Sequence, residues 1–157
     1  MDIDEEPIEG IKGLLIYKID SDEYCADIRN VIAIVEADLV KQNIKNNISN
    51  HIEYNHHIFT MIDLHKIFKK NPIKHTKNIR IIMHEMYGKR YCFFVDKVLE
   101  ILSIDNIFFE KSLDILPCTR KNFIKYILRF QERDILIPDF EKITKSLYKL
   151  NEFHKIV

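Results

Sequence analysis

The chain has 157 residues, of which 46% are hydrophobic, and its 24 lysines and arginines balance its 24 aspartates and glutamates. This length fits one domain or two small interlocked ones with a sizeable core. The zero formal net charge excludes a whole-chain basic excess that would attract nucleic acid or an anionic membrane, and no stretch approaches the ~20 apolar residues of a membrane span.

The N-terminal third predicts a tail followed by a hairpin. Residues 1–10 are expected to form a flexible tail. Gly13 to Asp20 and Glu23 to Ile28 are two β-favouring runs joined by a polar turn, which is typical of a hairpin. Val31 to Val35 extend the apolar pattern as a further strand or a turn of helix, and Lys41 to Asn50 predict a loop or a weak polar helix.

The middle third predicts a strand, a short helix and a second hairpin. Ile58 to Ile62 are rich in β-favouring residues, and Asp63 can cap a helix that begins at Leu64. Asn78 to Met86 and Arg90 to Asp96 form the arms of the hairpin. The apolar run within the second arm indicates burial on both faces.

The C-terminal third repeats this order of elements. Residues 112–119 form a connection, and Phe123 to Phe130 and Ile135 to Ile137 predict two strands around a polar turn. Asp139 can again cap a helix, expected over residues 141–157, with apolar residues every three or four positions.

The sequence indicates an internal duplication. The stretch from Tyr24 to Ile34 recurs as Tyr91 to Ile101, and Met61 to Ile67 recurs as Ile137 to Ile143. The matched positions are Tyr24 and Tyr91, Cys25 and Cys92, Ile28 and Val95, Val31 and Val98, and Ile34 and Ile101. Two blocks that recur in the same order indicate two related halves, and chance alignment of apolar runs is the alternative.

The residues offer little chemistry for catalysis. The seven histidines include no HxxxH or HExxH spacing, so no metal site is predicted. Asp63 and Asp139 could form an acid/base pair, but each precedes a helix, which favours capping. Three cysteines without a CxxC pair, and no signal peptide, indicate a reducing cytoplasm. The sequence therefore predicts a cytoplasmic, non-enzymatic binding module without a cofactor.

The order of these elements resembles the CheW-like domain, an adaptor module of bacterial chemotaxis. The resemblance runs from about Leu14 to Leu150. It rests on four segments in the family's order and spacing: residues 23–34, Phe59 to Leu64, Val95 to Leu102, and Ile135 to Ile143.

The resemblance implies a mainly β fold of two intertwined, small five-stranded β-barrel (SH3-like) subdomains with short helices and a C-terminal helix. The subdomains are expected at about residues 29–85 and at residues 11–28 plus 86–140.

The resemblance also implies a scaffold that couples chemoreceptor tips to the histidine kinase CheA by docking on the kinase regulatory domain. Nucleic-acid binding and membrane insertion are not expected. The implied partner-binding residues are Val31, Ile32, Asn55, His56, Val95 and Val98. For Val31 and Val98, plain core packing is the alternative.

The sequence departs from the family where receptor contact is usual. Asn55 stands where the family has an arginine, so the charge and planar fork of that side chain are missing, and Thr60 replaces a proline. These departures suggest that receptor coupling is weakened. An alternative function is a β-barrel binding module for another signalling partner or RNA.

Overall fold

The structure is a computed structural model that describes residues 6–7, 13–37, 51–74, 76–103, 108–110 and 123–147. Predictions for residues 41–50 and 112–119, and for Cys118 and His75, lie outside the described residues.

Strands dominate the described part of the chain, so the predicted mainly β class is confirmed. The N-terminal strands are β1 (Glu6–Pro7), β2 (Gly13–Ile19), β3 (Asp22–Asp27) and β4 (Val31–Glu36), with a 3₁₀ turn (Ile28–Asn30) before β4. The middle elements are β5 (His51–Tyr54), β6 (His57–Met61), helix α1 (Leu64–Ile67), β7 (Arg80–Met86) and β8 (Lys89–Val95). The C-terminal elements are β9 (Lys97–Ser103), β10 (Phe108–Glu110), β11 (Ile124–Phe130), β12 (Arg133–Pro138) and helix α2 over residues 140–147.

The strands form two sheets. The terminal sheet has the order β1-β10-β11-β12-β3-β2-β9, and the central sheet has the order β4-β7-β8-β6-β5. The terminal sheet thus adds the short strands β10 and β1 to a set of five. Because the chain enters the terminal sheet, leaves it for the central sheet and returns, the two subdomains are intertwined as predicted.

The chain crosses between the sheets at two places. The first crossing is the 3₁₀ turn Ile28–Asn30 between β3 and β4, and the second crossing is Asp96 between β8 and β9. A subdomain boundary near residue 85 is therefore wrong, because β8 pairs with β7 and β6 inside the central sheet. The apolar run of β8 is buried on both faces, and such a run is compatible with either sheet.

The two halves have the same strand arrangement. The order β11-β12-β3-β2-β9 in the terminal sheet corresponds to β5-β6-β8-β7-β4 in the central sheet, each with one parallel pair. The registers also correspond, because Tyr24 lies opposite Leu136 in one parallel pair and Tyr91 lies opposite Thr60 in the other. Capped helices follow β6 and β12 in turn. The duplication inferred from the sequence is therefore present in the fold.

The largest core cluster lies between the sheets and draws side chains from both. Leu15 and Tyr17 of β2, and Tyr91 and Phe93 of β8, belong to it. The intervening residues of these strands face a smaller cluster within each sheet, as Cys92 does in the central sheet. This double burial explains why β2 and β8 read as nearly continuous apolar runs.

The two ends of the chain differ in part from expectation. The tail expected over residues 1–10 includes β1, since Glu6 and Pro7 pair with Phe109 and Phe108 of β10. At the other end α2 is described over residues 140–147, and the remainder of the predicted helix, to residue 157, lies outside the described range.

Candidate functional site

Two edge strands present apolar side chains to the exterior. In the described residues, β4 pairs only with β7 and β9 pairs only with β2, so each strand closes one edge of its sheet. On β4, Ile32 is 47% exposed and Ile34 is 41% exposed, and on β9, Ile101 is 60% exposed. Sheet edges with exposed large apolar residues are typical protein-binding surfaces.

Val31 and Val98 lie at equivalent positions near the start of β4 and β9. Val31 lies opposite His84 on β7, and Val98 lies opposite Tyr17 on β2. Both valines are half-buried and pack against the core between the sheets. Each therefore has a structural role, and the more exposed contact surface lies further along the strand.

Asn55 and His56 lie apart from this surface. They form the exposed turn between β5 and β6, with backbone φ angles of 47° and 63°. Asparagine tolerates this left-handed conformation better than most side chains. In the sheet order, β7 and β8 lie between β4 and this hairpin. The turn is therefore not on a strand adjacent to β4, which carries Ile32.

Val95 is a core residue. It is fully buried at the end of β8 and belongs to the cluster between the sheets. The expectation that Val95 contacts a partner is wrong, because its side chain is buried and presents no surface to a partner.

Sequence reasoning missed Ile34 and Ile101 as surface residues. The two isoleucines are matched positions of the duplication, and the structure exposes both on edge strands. The signal was present, because the duplication aligned them. Their exposure could not be inferred without knowing that β4 and β9 are edges.

The second crossing is fixed by a polar cluster. His65 of α1 places Nε2 3.2 Å from Oδ1 of Asp96, and the backbone N–H of Asp20 donates to the same carboxylate. Asn71 Nδ2 donates to Asp20 Oδ2 at 3.2 Å. These contacts join α1 of one half to the β2–β3 turn of the other. Asp96 directly precedes β9, so the cluster links the start of this edge strand to α1.

The acidic residues before the helices are capping groups. Asp63 accepts from the backbone N–H of Lys66 at 3.1 Å, and Asp139 accepts from that of Lys142 at 3.2 Å. Their equivalent places in the two halves follow from the duplication, so capping explains both residues.

The described residues hold no group of three histidine, cysteine, aspartate or glutamate side chains placed to bind a metal ion. Burial raises the pKa of the Cys92 thiol to about 12 and raises that of Cys25 well above its usual range. Neither thiol is therefore an activated nucleophile. No helix in the described ranges has the length and apolar character needed to cross a membrane.

Two intertwined, duplicated small sheets with exposed edge strands define a β-rich binding module of the two-subdomain type. The model of the CheW-like domain family matches residues 13–147. The chain belongs to the CheW-like domain family.

A solved structure supports the fold. The chain is similar to the crystal structure of the scaffolding protein TtCheW from Thermoanaerobacter tengcongensis, with a TM-score of 0.65 and 24% sequence identity. The similarity covers 82% of this chain and 88% of that one. A comparison with curated proteins found no match.

Proposed function

We propose that this chain is a non-enzymatic, cytoplasmic scaffold in bacterial chemotaxis that couples chemoreceptors to the histidine kinase CheA. Membership of the CheW-like family supports the proposal. The observation that carries it is the pair of edge strands with exposed isoleucines, because strands of this kind can dock on a matching barrel of the kinase regulatory domain.

Kinase contact is assigned to β4 and β9 rather than to the β5–β6 turn. Ile32 and Ile34 project from the same face of β4, and Ile101 occupies on β9 the position equivalent to Ile34. Large apolar side chains that are desolvated at the centre of an interface supply most of the binding free energy. Val31 of β4 and Val98 of β9 are half-buried and pack against the core, so they anchor the two strands.

Receptor contact is proposed to be the weaker activity. Asn55 lacks the positive charge and the five donors of an arginine, so it cannot make a bidentate contact to a carboxylate. His56 lies beside it in the same exposed turn. A receptor bound by this chain would therefore rely more on apolar contacts than on this turn.

The test is binding of the full chain to the CheA regulatory domain of the same organism, measured by calorimetry. We expect a Kd of about 1 µM or tighter, which corresponds to about −8 kcal/mol. A folded protein that shows no heat of binding at 100-fold higher concentration would overturn the kinase contact. A pull-down with the receptor cytoplasmic tip, using both the wild type and Asn55→Arg, then tests the receptor contact separately.

A further inference from the structure

A cavity of about 610 Å³ lies at the first crossing, between the end of β3, the end of β7 and the start of α2. Its volume is within the range of small-molecule sites, which is roughly 300–1,000 Å³. Its walls include the apolar side chains of Ala26, Met86 and Phe140. Charged side chains of both signs also line it, namely Asp27, Arg29, Lys125, Asp139 and Glu141. The Asp27–Arg29 ion pair, with a distance of 2.6 Å, lies at its border.

The cavity coincides with a loss of aromatic side chains relative to the other half. The hairpin registers match Ala26, opposite Leu15, with Phe93, opposite Ile82. The next residue, Asp27, corresponds to Phe94 in the same way. The central sheet thus carries two phenyl rings where the terminal sheet carries a methyl group and a carboxylate.

The neighbouring strand shows the same reduction in size. Tyr17 lies opposite Tyr24, and His84 lies opposite Tyr91, so Tyr17 and His84 are equivalent. His84 lines the cavity, and Tyr17 is fully buried among core aromatics at the other crossing. Protein cores are close-packed. Where smaller side chains leave a cavity, a ligand of about the shape of the missing larger side chains can fill it.

The wall of the cavity contains a buried polar group. His84 is 1% exposed, and its Nδ1 has no hydrogen-bond partner among the described residues. Burial lowers the pKa of His84 to about 4, although the charge of Asp27 opposes the shift, so the imidazole is neutral at pH 7. A buried polar atom without a partner costs free energy that a ligand group could recover.

Aromatic surfaces next to this histidine favour a ring-shaped guest. The imidazole stacks on Phe140 with ring centroids 5.0 Å apart, and Phe93 lies 5.5 Å from Phe140. Aromatic rings prefer such offset or tilted contacts with other rings.

We propose that this cavity binds a small, uncharged aromatic compound with one polar ring atom or substituent, of the phenol or indole type. The ring would occupy the space that Phe93 fills in the other half, with its polar group directed to His84. This ligand site is separate from the edge strands assigned to the kinase, so it can be tested whatever the outcome for kinase binding.

The experiment titrates phenol, indole and toluene into the wild-type chain and follows the Ala26 methyl and His84 imidazole signals by NMR. We expect saturable shifts for phenol and indole, with a Kd of about 1 mM or tighter, and at least fivefold weaker binding for toluene, which has no polar group. Absence of shifts for phenol and indole, or shifts only at residues outside the cavity, would overturn the proposal.

Two variants separate the contributions of shape and polarity. Ala26→Phe restores the ring present in the other half and should abolish binding of all three probes. His84→Leu should reduce the affinity for phenol and indole to that of toluene. This variant tests the proposal independently if Ala26→Phe does not fold. Ile58→Glu, an exposed position on β6, is the matched control and should bind as the wild type does. Unchanged binding by both cavity variants would contradict the proposal.

Discussion

Tyr17 and His84 occupy the same place in the two halves of the molecule. Each lies opposite a tyrosine of its own hairpin, Tyr24 or Tyr91, and opposite a valine of an edge strand on its other side. One half therefore has a phenol at this buried position and the other has an imidazole. Because only the imidazole can bind a proton in acid, this substitution makes the two halves respond differently to a fall in pH.

His84 should make the fold sensitive to mild acid. Its pKa is about 4 in the folded chain, against an ordinary value of 6.5, so the unfolded chain binds more protons between these values. The contribution of His84 to the free energy of unfolding is present above pH 6.5 and is lost as the pH is lowered towards 4. Between pH 7.5 and pH 5 we expect a loss of about 2 kcal/mol from this residue.

Urea denaturation of wild type and His84→Phe at both pH values measures this loss. The variant keeps a ring against Phe140 but cannot be protonated, so its loss of stability should be about 2 kcal/mol smaller. His57→Gln, at an exposed position, is the control and should follow the wild type. An equal loss in His84→Phe and wild type would show that other groups cause the acid sensitivity.

The exposed isoleucines of the edge strands should control kinase binding without controlling the fold. Ile34→Glu and Ile101→Glu each place a charge on an exposed edge position. We expect at least a tenfold weaker affinity for the CheA regulatory domain, which equals about 1.4 kcal/mol, from either change. The midpoint of thermal unfolding should shift by only a few degrees.

Ile58→Glu is the matched control for these two variants. Ile58 is 65% exposed but lies on β6, away from the two edge strands. Its affinity for the kinase domain should equal that of the wild type. If Ile58→Glu weakened binding as much as the edge variants, the assignment of the interface to β4 and β9 would be incorrect.

Arg133 should stabilise the terminal sheet through the hydrogen bonds that its guanidinium group donates. Its Nε donates to Oε1 of Glu23 at 3.1 Å, and its Nη1 donates to Oε1 of Glu100 at 2.7 Å. These hydrogen bonds raise the pKa of Arg133 and link β12 with β3 and β9. Since the side chain is partly exposed, we expect Arg133→Lys to cost only about 1 kcal/mol.

Chemical denaturation at low and high salt tests the role of Arg133. Raising the salt concentration should reduce the difference between wild type and Arg133→Lys, because partly exposed ion pairs are screened. Arg129→Lys serves as the control. Arg129 forms a more exposed pair with Asp134, and its replacement should change stability less. A larger cost at Arg129 than at Arg133 would contradict the prediction.

The two capping aspartates should have similar roles in stability. Asp63→Ala and Asp139→Ala each remove an acceptor for the first turn of a helix, and each should cost about 1 kcal/mol. Asparagine keeps an acceptor oxygen, so Asp63→Asn and Asp139→Asn should be nearly neutral. Thermal unfolding of the four variants measures these effects. A large loss in the asparagine variants would indicate that the negative charge has a role other than capping.

The hairpins could be predicted from the sequence because strand and turn are local properties. Alternating or continuous apolar runs around polar turns located β2–β3, β7–β8 and β11–β12. Turn residues such as Tyr87 and Gln131 adopt positive φ angles without being glycine, so composition alone gives little indication of them. The strand β5 was missed because its alternation is short: only Ile52 and Tyr54 face the core cluster, and His51 and Glu53 are exposed.

The placement of strands in sheets could not be predicted from the residues. Pairings such as β3 with β12 join distant parts of the chain, and a buried run such as β8 fits either sheet. For the same reason Val95 was taken for a surface residue and Ile34 was not. The cavity beside Ala26 depends on which larger residues Ala26 and His84 replace. The aligned stretches already match Ala26 with Phe93, but only the hairpin registers match His84 with Tyr17.

The intertwined path sets an order for folding during synthesis. The central sheet uses one continuous stretch, residues 31–95, whereas β3 of the terminal sheet must wait for β12 before its parallel pair can form. Contacts between distant residues form late because loop closure costs entropy. On the ribosome the central sheet can therefore close while β2 and β3 remain a lone hairpin with an unpaired edge. In pulsed hydrogen exchange we expect the amides of β7 and β8 to be protected before those of β12.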